Sequence, residues 1–515
     1  MKLLQQLLCE LEYDKIIGDV DVKIQSIHFN SQEVAQSSLF VANKGVKNDG
    51  HDYIMAAISA GASVVVCEKL PLNIVPAVTY IKVSDSSYAL AIIASNFFDN
   101  PSRKIKLVGV TGTNGKTSTV YYLTSLFEKL YFPDRSYLGN YPGLVGMIST
   151  IENQVNNKRF SSTHTTPDAI TINKLLSDMV DAGCEYCFME VSSHAISQKR
   201  ISGLDFDIAV FTNISRDHLD YHGTFENYLN TKKSFFDQLS PKAKAIVNID
   251  DPEGHDIARD SQAQHIPYGQ RQASLYYGTI IRSSVDGLRI GFDGFCEHEG
   301  GHERITINTD LVGDFNLYNL LATFAVACEL VVNEKKCLTS PVTRHSIIEA
   351  LSTVPQVPGR FNVLKGKDGV VGIVDYAHTP DALLKVITSI GKFCDVTKDL
   401  IIVIGCGGNR DAGKRSIMAK IATENSRLSI FTSDNPRFEN PESILDDMCL
   451  DLSNALTHKI QRITNREDAI HTAVESAGKG DIILIAGKGH ENYQEIRSIR
   501  HPFDDFKTLK KILKI

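Results

Sequence analysis

The run GVTGTNGKTST at residues 109–119 has the residue types of a phosphate cradle. It follows the apolar segment Leu107–Val110 and leads into Val120, Leu123, Leu126, Phe127 and Leu130, apolar positions at helical spacing. Gly112 and Gly115 let the backbone turn tightly, so that successive N–H groups and a helix N-terminus face an anion. Lys116 supplies a cation, and Thr117 a hydroxyl of the kind that meets magnesium in phosphate-binding loops. Gly109 lies one residue farther from Gly115 than the common G-x-x-x-x-G-K spacing requires. Strand, glycines, Lys-Thr pair and helix together predict a nucleotide site.

Two further polar clusters follow predicted strands. EVSSHAISQKR (190–200) sets Glu190, Ser192, Ser193 and His194 directly after an apolar segment. Glu190 can complete a magnesium shell with Thr117, because hard cations take carboxylate and hydroxyl oxygen; a helix start capped by Ser192 or Ser193 accounts for the same composition. NISRDHLDYHG (213–223) crowds Asp217, His218, Asp220 and His222 into six residues. A surface turn would explain that composition, and metal or proton-transfer chemistry would explain its place after a strand beside a nucleotide loop.

These residues need elements to hold them. A chain of 515 residues with 43% hydrophobic content can bury large cores and is expected to divide into about three domains. Residues 1–104 read as a small α/β unit with strands near 37–42, 63–68 and 79–83. Residues 105–357 alternate apolar strands (near 106–110, 187–191, 208–214 and 243–249) with longer helices, which predicts a mostly parallel sheet covered on both faces. VPQVPGR breaks the pattern as a hinge, and 358–515 alternates again as a second doubly wound, Rossmann-like α/β domain. The fold class is therefore α/β throughout.

A net charge of −7 and a pI near 6.2, with no long basic stretch, argue against nucleic acid as a partner. The N-terminal MKLLQQLLCELEYD has no cleavage pattern and no window approaches 18 uninterrupted apolar residues, so no membrane insertion and a cytoplasmic enzyme are expected; a monomer is expected as well, although nothing in the sequence fixes the oligomeric state. The ten cysteines are expected to be reduced, with Cys184 and Cys187 as buried strand residues. Cys296, His298 and His302 are close enough in sequence to suggest metal ligation, although a Gly-rich acidic turn between two expected strands accounts for them as well.

The order and spacing of TGTNGKTST, TTPD (165–168), EVSSH, NISRDHLDYHG, PGR (358–360), DYAHTPDAL (375–383), GCGGNRDAGKR (405–415), DNPR (434–437) and AGKGHENYQ (486–494) resemble the Mur ligase family over nearly the whole chain. The resemblance implies an N-terminal UDP-sugar domain, a central P-loop-type ATPase domain and a C-terminal amino-acid domain. It also implies activation of a substrate carboxylate by ATP and its displacement by an amine. Two anions must then meet: a carboxylate about 4 Å from a phosphate oxygen costs on the order of 4 kcal/mol per charge pair at an effective dielectric near 20. Lys116 and a magnesium ion at Thr117 and Glu190 are expected to offset that cost.

By the same resemblance, a second ion falls to His218 and to a carbamylated lysine four residues after Tyr228, which is Lys232 rather than Lys233. ATP is expected along Thr111, Gly112, Thr113, Asn114, Gly115, Lys116, Thr117 and Ser118, with Asn213 at adenine and with Arg360 and Asp375 at phosphate and ribose. Phe29 and Ser31 match uridine-end positions, although Asn30-Ser31-Gln32 stands where family members commonly show D-S-R. Thr165, Thr166, Ser192, Gln198 and Arg200 match the muramoyl-peptide path. Arg410, Asp434, Asn435, Pro436, Arg437, Gly487 and Glu491 match the acceptor positions. Arg437 is suited to the distal carboxylate that distinguishes meso-diaminopimelate from lysine, and Glu491 to an ammonium.

Three functions stay open. A diaminopimelate-adding ligase acting on a UDP-muramoyl dipeptide uses every residue named. A ligase adding L-lysine or another diamine predicts a pocket without net positive charge, against which Arg410 and Arg437 stand. A catalytically silent nucleotide-binding homologue would have lost members of the set Lys116, Glu190, His218, Lys232 and Arg360, and none is missing.

Overall fold

The computed structural model describes residues 1–45, 48–131, 144–294, 303–332, 342–366 and 368–515. Cys296, His298 and His302 lie outside the described residues. Three main sheets organise the rest, and each gathers its strands from one consecutive stretch of chain.

The first sheet has five strands, in the order Lys15–Ile17, Thr79–Lys82, Ala62–Cys67, Ser38–Val41 and Ser26–His28. Only the Lys15–Ile17 edge is antiparallel. Val64, Val66 and Ile81 pack against Leu90 and Ile93 of the helix Ser86–Phe97. That helix starts where the Asp85 carboxylate accepts the Tyr88 N–H at 2.9 Å.

The central sheet has eleven strands. Its middle is parallel: Val145–Ile148, Tyr186–Glu190, Lys106–Thr111, Ile208–Phe211, Lys244–Asn248 and Gln264–Gly269 lie side by side. Antiparallel strands extend both edges, Glu152–Val155 and Lys158–Ser161 on one side and Gly287–Gly294 and Glu303–Thr309 on the other. Glu152–Val155 and Lys158–Ser161 are short and largely polar, with no apolar run to predict them, whereas Gly287–Gly294 and Glu303–Thr309 are the strands expected on either side of residues 296–302. Buried residues form one cluster on each face of the sheet, as a sheet covered on both sides requires. Val120, Leu123, Leu126 and Phe127 of the helix Lys116–Tyr131 belong to the first. Phe315–Val332 is long and apolar enough by composition to cross a membrane, and 83% of that stretch is buried in the same core.

Gly109 sits inside the strand Lys106–Thr111, where a Cβ would lie 2.7 Å from the Phe206 ring and 2.8 Å from Phe235. Its spacing is therefore set by sheet packing, and the phosphate loop begins at Gly112. Cys187 is a buried strand residue and Cys184 is buried just before that strand; burial pushes both thiols above the usual cysteine range.

The third sheet has six strands, in the order Asn362–Lys365, Val371–Asp375, Ile482–Ala486, Leu400–Ile404, Leu428–Phe431 and Ile460–Arg462. All neighbours are parallel except the first pair. Beneath it the fully buried Arg466 holds Asp505 through two 2.8 Å bonds and donates to the Ala486 carbonyl at 3.1 Å. This pair ties the C-terminal helix Asp505–Ile512 to the end of a central strand.

Candidate functional site

Lys106–Thr111 lies between Tyr186–Glu190 and Ile208–Phe211, so their carboxyl ends bring the phosphate loop, Glu190 and Asn213 together. Such a crevice is where an α/β sheet places a ligand. Gly112 has a φ of 147°, and a side chain there would fall on the Thr212 hydroxyl, so this turn requires glycine. Asn213 holds the loop in shape: its Oδ1 accepts the Asn114 N–H at 3.1 Å and its Nδ2 donates to the Asn114 carbonyl at 3.0 Å. Thr113 Oγ1 accepts the Ser215 N–H at 3.0 Å and lies 3.1 Å from Tyr228 Oη. The Asn114 side-chain amide nitrogen is buried without a hydrogen-bond partner in the loop.

Glu190 is fully buried at the end of its strand. It accepts the Thr117 hydroxyl at 3.0 Å, the Thr150 N–H at 2.7 Å and the Thr150 hydroxyl at 3.1 Å. Thr150, which follows the neighbouring strand Val145–Ile148, was not singled out from sequence; its position just past a strand end was the available signal. Its hydroxyl reaches Thr165 Oγ1 at 3.1 Å, which joins the Glu190 cluster to the TTPD segment. Glu190 carboxylate and Thr117 hydroxyl are adjacent hard oxygen donors, a set that fits a divalent cation. Among the described residues no group of three or more His, Cys, Asp or Glu converges on a metal-sized point. A metal here would therefore draw on hydroxyl and ligand oxygens as well.

Two lysines share one acceptor. Lys116 Nζ donates to the carbonyls of Gly112 (2.9 Å) and Thr113 (2.8 Å), and Lys232 Nζ donates to the same Gly112 carbonyl at 2.9 Å. Lys232 is 1% exposed on the helix Phe225–Asp237 and stands 4.8 Å over the Tyr228 ring, while Lys233 turns outward to Asp237. Desolvation, reinforced by Lys116, holds Lys232 well below the usual lysine range; Asp217 opposes it. Desolvation also lowers Lys116, against the pull of Glu190 and Asp217. His218, in a left-handed turn with φ of 54°, has its ring 6.3 Å from Tyr228 and 4.8 Å from His194. Desolvation lowers it to about 4, so the ring is neutral near pH 7.

The last domain reaches this site through Arg360. Its guanidinium lies 4.5 Å over the Tyr376 ring and donates to Thr117 Oγ1 at 3.4 Å. Asp375 anchors that turn by accepting the Phe361 and Ala377 N–H groups, each at 2.7 Å. Ser215 donates to Asp381 at 2.7 Å and accepts from Lys385 at 3.1 Å, a second bond between the two domains.

Thr166 Oγ1 donates to the Glu190 carbonyl at 2.7 Å and accepts the Ser192 N–H at 3.0 Å. Ser192 caps its short helix through Ala195. Arg200 donates to the Thr166 carbonyl at 2.8 Å and to Gln198 Oε1 at 2.7 Å. Thr165, Thr166, Ser192, Gln198 and Arg200 thus form one connected edge beside Glu190. Phe29 and Ser31 are not part of it. They follow the edge strand Ser26–His28 of the first sheet, with Phe29 exposed and Asn30 Oδ1 accepting the Gln32 N–H at 3.1 Å.

A third cluster forms where two strand ends of the last sheet meet. Asn435 Nδ2 donates to Glu491 Oε2 at 2.8 Å, and the fully buried Lys488 donates to Glu491 Oε2 at 2.8 Å and to Asn435 Oδ1 at 3.1 Å. Asp434 lies 3.8 Å from the Lys488 ammonium, and a Cβ on Gly487 would be 2.8 Å from its carboxylate. Pro436 is buried, and Arg437, with φ of 51°, donates to the Gly408 carbonyl at 2.8 Å and faces Glu495 at 3.5 Å. Arg410 is exposed beside Arg437 over Gly407.

Residues 110–327 match the Mur ligase middle domain, residues 359–489 the Mur ligase glutamate ligase domain, and residues 23–98 the Mur ligase family catalytic domain. The UDP-N-acetylmuramoyl-L-alanyl-D-glutamate–2,6-diaminopimelate ligases of Bacteroides fragilis and Bacteroides thetaiotaomicron are 43% and 44% identical over 512 and 510 residues, 99% of each chain. A solved structure of a ligase with that name aligns over 100% of this chain and 99% of its own, with 28% identity and a TM-score of 0.66.

Proposed function

The chain belongs to the Mur ligase family, and we infer that it is an ATP-dependent ligase joining meso-2,6-diaminopimelate to the D-glutamate carboxylate of UDP-N-acetylmuramoyl-L-alanyl-D-glutamate in peptidoglycan precursor synthesis. The carboxylate is activated as an acyl phosphate, and the amine then displaces phosphate. The observation that carries this reading is full-length similarity to two ligases of that name, joined to the meeting of Thr117, Glu190 and Arg360 at one crevice.

In this proposal the loop Thr111–Ser118 holds the phosphates of ATP, with Lys116 leaving its carbonyl partners to meet them. Magnesium, when bound, supplies Lewis-acid charge at Thr117 and Glu190. Arg360 adds a mobile positive charge from the last domain, and its approach closes the crevice against water that would hydrolyse the acyl phosphate. Asp375 sets the turn that carries Arg360, and Asn213 sets the loop beneath adenine. Lys232 is proposed to be carbamylated: burial lowers its pKa and so favours the neutral amine, the form that attacks carbon dioxide with loss of a proton. The resulting carbamate is an anionic oxygen ligand that neutral His218 can join at a second ion.

We further propose that residues 1–104 take the UDP end of the nucleotide sugar at Phe29 and Ser31, that 105–357 bind ATP, and that 358–515 bind the amino acid. Thr165, Thr166, Ser192, Gln198 and Arg200 line the muramoyl-peptide path. Arg410 and Arg437 meet the distal carboxylate of the acceptor, and Asp434, Asn435, Pro436, Gly487 and Glu491 its ammonium end. The protein is proposed to act as a cytoplasmic monomer on small molecules, with no nucleic-acid partner and no membrane insertion.

Phosphate release with ATP, magnesium and UDP-N-acetylmuramoyl-L-alanyl-D-glutamate, offering meso-diaminopimelate and L-lysine in parallel, tests the reading. Turnover with meso-diaminopimelate is expected to exceed that with lysine. Equal or better turnover with lysine overturns the acceptor assignment.

A further inference from the structure

We propose that Lys488 sets the acceptor selectivity of this ligase by balancing the charge of the amino-acid pocket, an inference that rests on the acceptor cluster proposed above. Lys488 is 0% exposed, yet it carries an ammonium. A buried cation is tolerated only when it is paired and hydrogen-bonded. Its partners are Glu491 at 2.8 Å, Asn435 at 3.1 Å and Asp434 at 3.8 Å, and Tyr493 lies 5.6 Å away across its ring face. All three polar partners belong to the proposed acceptor set.

The charges of that pocket cancel. Asp434, Glu491 and Glu495 contribute three negative charges, and Lys488, Arg437 and Arg410 three positive ones, while the buried Arg466 that also acts on Asp434 and Glu491 is cancelled by its partner Asp505. A neutral pocket with both signs displayed matches the distal end of diaminopimelate, a zwitterion of one ammonium and one carboxylate. Lysine brings the ammonium alone, adding an uncompensated positive charge to the balanced pocket and no carboxylate for Arg437 and Arg410 to meet. Removing Lys488 leaves the pocket with a net negative charge, which favours an acceptor carrying a surplus ammonium. Lys488 is thus a positioning residue that acts through Glu491 and Asp434, distinct from the arginines that face the carboxylate.

The test compares kcat/KM for meso-diaminopimelate and L-lysine in the wild-type protein, Lys488→Met and the double variant Lys488→Met/Glu491→Gln. In Lys488→Met the ratio of the two is expected to fall about tenfold or more, through a raised KM for diaminopimelate with an unchanged KM for ATP. In the double variant, which restores zero net charge although Asp434 still loses its ammonium partner, the ratio is expected to return toward wild type while absolute rates stay low. An unchanged ratio in folded Lys488→Met, or a double variant as unselective as the single one, overturns the proposal. If the single variant does not fold, the double variant alone decides by the same criterion. A wild-type protein that turns over neither amino acid would instead overturn the ligase reading itself.

Discussion

The Gly112 carbonyl receives bonds from Lys116 and Lys232, and two ammonium groups on one oxygen repel in a desolvated setting. Burial and the neighbouring Lys116 charge both favour the neutral amine at Lys232. Lys232→Ala is therefore expected to lower turnover by at least about a hundredfold, with partial recovery on adding acetate or formate to replace the missing oxygen ligand. Near-normal turnover without any added carboxylate would remove Lys232 from the site. The resemblance to the Mur ligase family, which places a lysine four residues after Tyr228, singled out Lys232 over Lys233. It was not enough to find Thr150 on Glu190 or Asn213 on Asn114, because those pairings join strand ends that are 40 and 99 residues apart. Lys488 stood within a quoted motif, but nothing linear marks a lysine as fully buried.

At the scale of elements, the segment leading to Arg360 depends on one glycine. Gly359 has a φ of 67°, and a Cβ there would fall on the backbone of Gly489 and His490, which cannot give way as a side chain tip can. Gly359→Ala should displace the turn that aims Arg360 at Thr117. It is expected to raise the KM for ATP and lower kcat, while Asp375→Asn in the same turn serves as a milder comparison. Wild-type kinetics in Gly359→Ala would show that the aim of this turn is immaterial. Long apolar strands such as Lys106–Thr111 and Leu400–Ile404 were legible because burial on both faces leaves a continuous hydrophobic run. The edge strand Lys158–Ser161 was not, since an exposed strand carries little such signal.

At the scale of the whole molecule, several histidines are held neutral. His490 is lowered to about 3 by desolvation first, and His194 and His222 are lowered in the same way. Unfolded histidine takes up its proton near pH 6.5, so below that value the unfolded chain binds more protons than the native one. Their contribution to stability is complete above about pH 6.5 and is lost as pH falls toward the folded values. Denaturant midpoints measured at pH 7.5, 6.0 and 5.0 should fall with acidity, and the decline should be shallower in His490→Gln. A flat profile in the wild-type protein across that range would contradict the neutral assignment. The three-part α/β plan was readable from alternation and the VPQVPGR break, whereas the bonds between parts were not, because Ser215 with Asp381 and Arg360 with Thr117 arise only when separate sheets meet.

Arg360 stacks on a ring of its own domain while its other side touches the hydroxyl that the nucleotide loop offers. A single guanidinium therefore reports whether the carboxy-terminal lobe is seated and, under the proposed function, also supplies charge to the group being transferred. Fuel and acceptor cannot then be engaged independently: an enzyme holding ATP with that lobe swung away would lack a charge its chemistry needs, so idle hydrolysis is restrained by geometry alone.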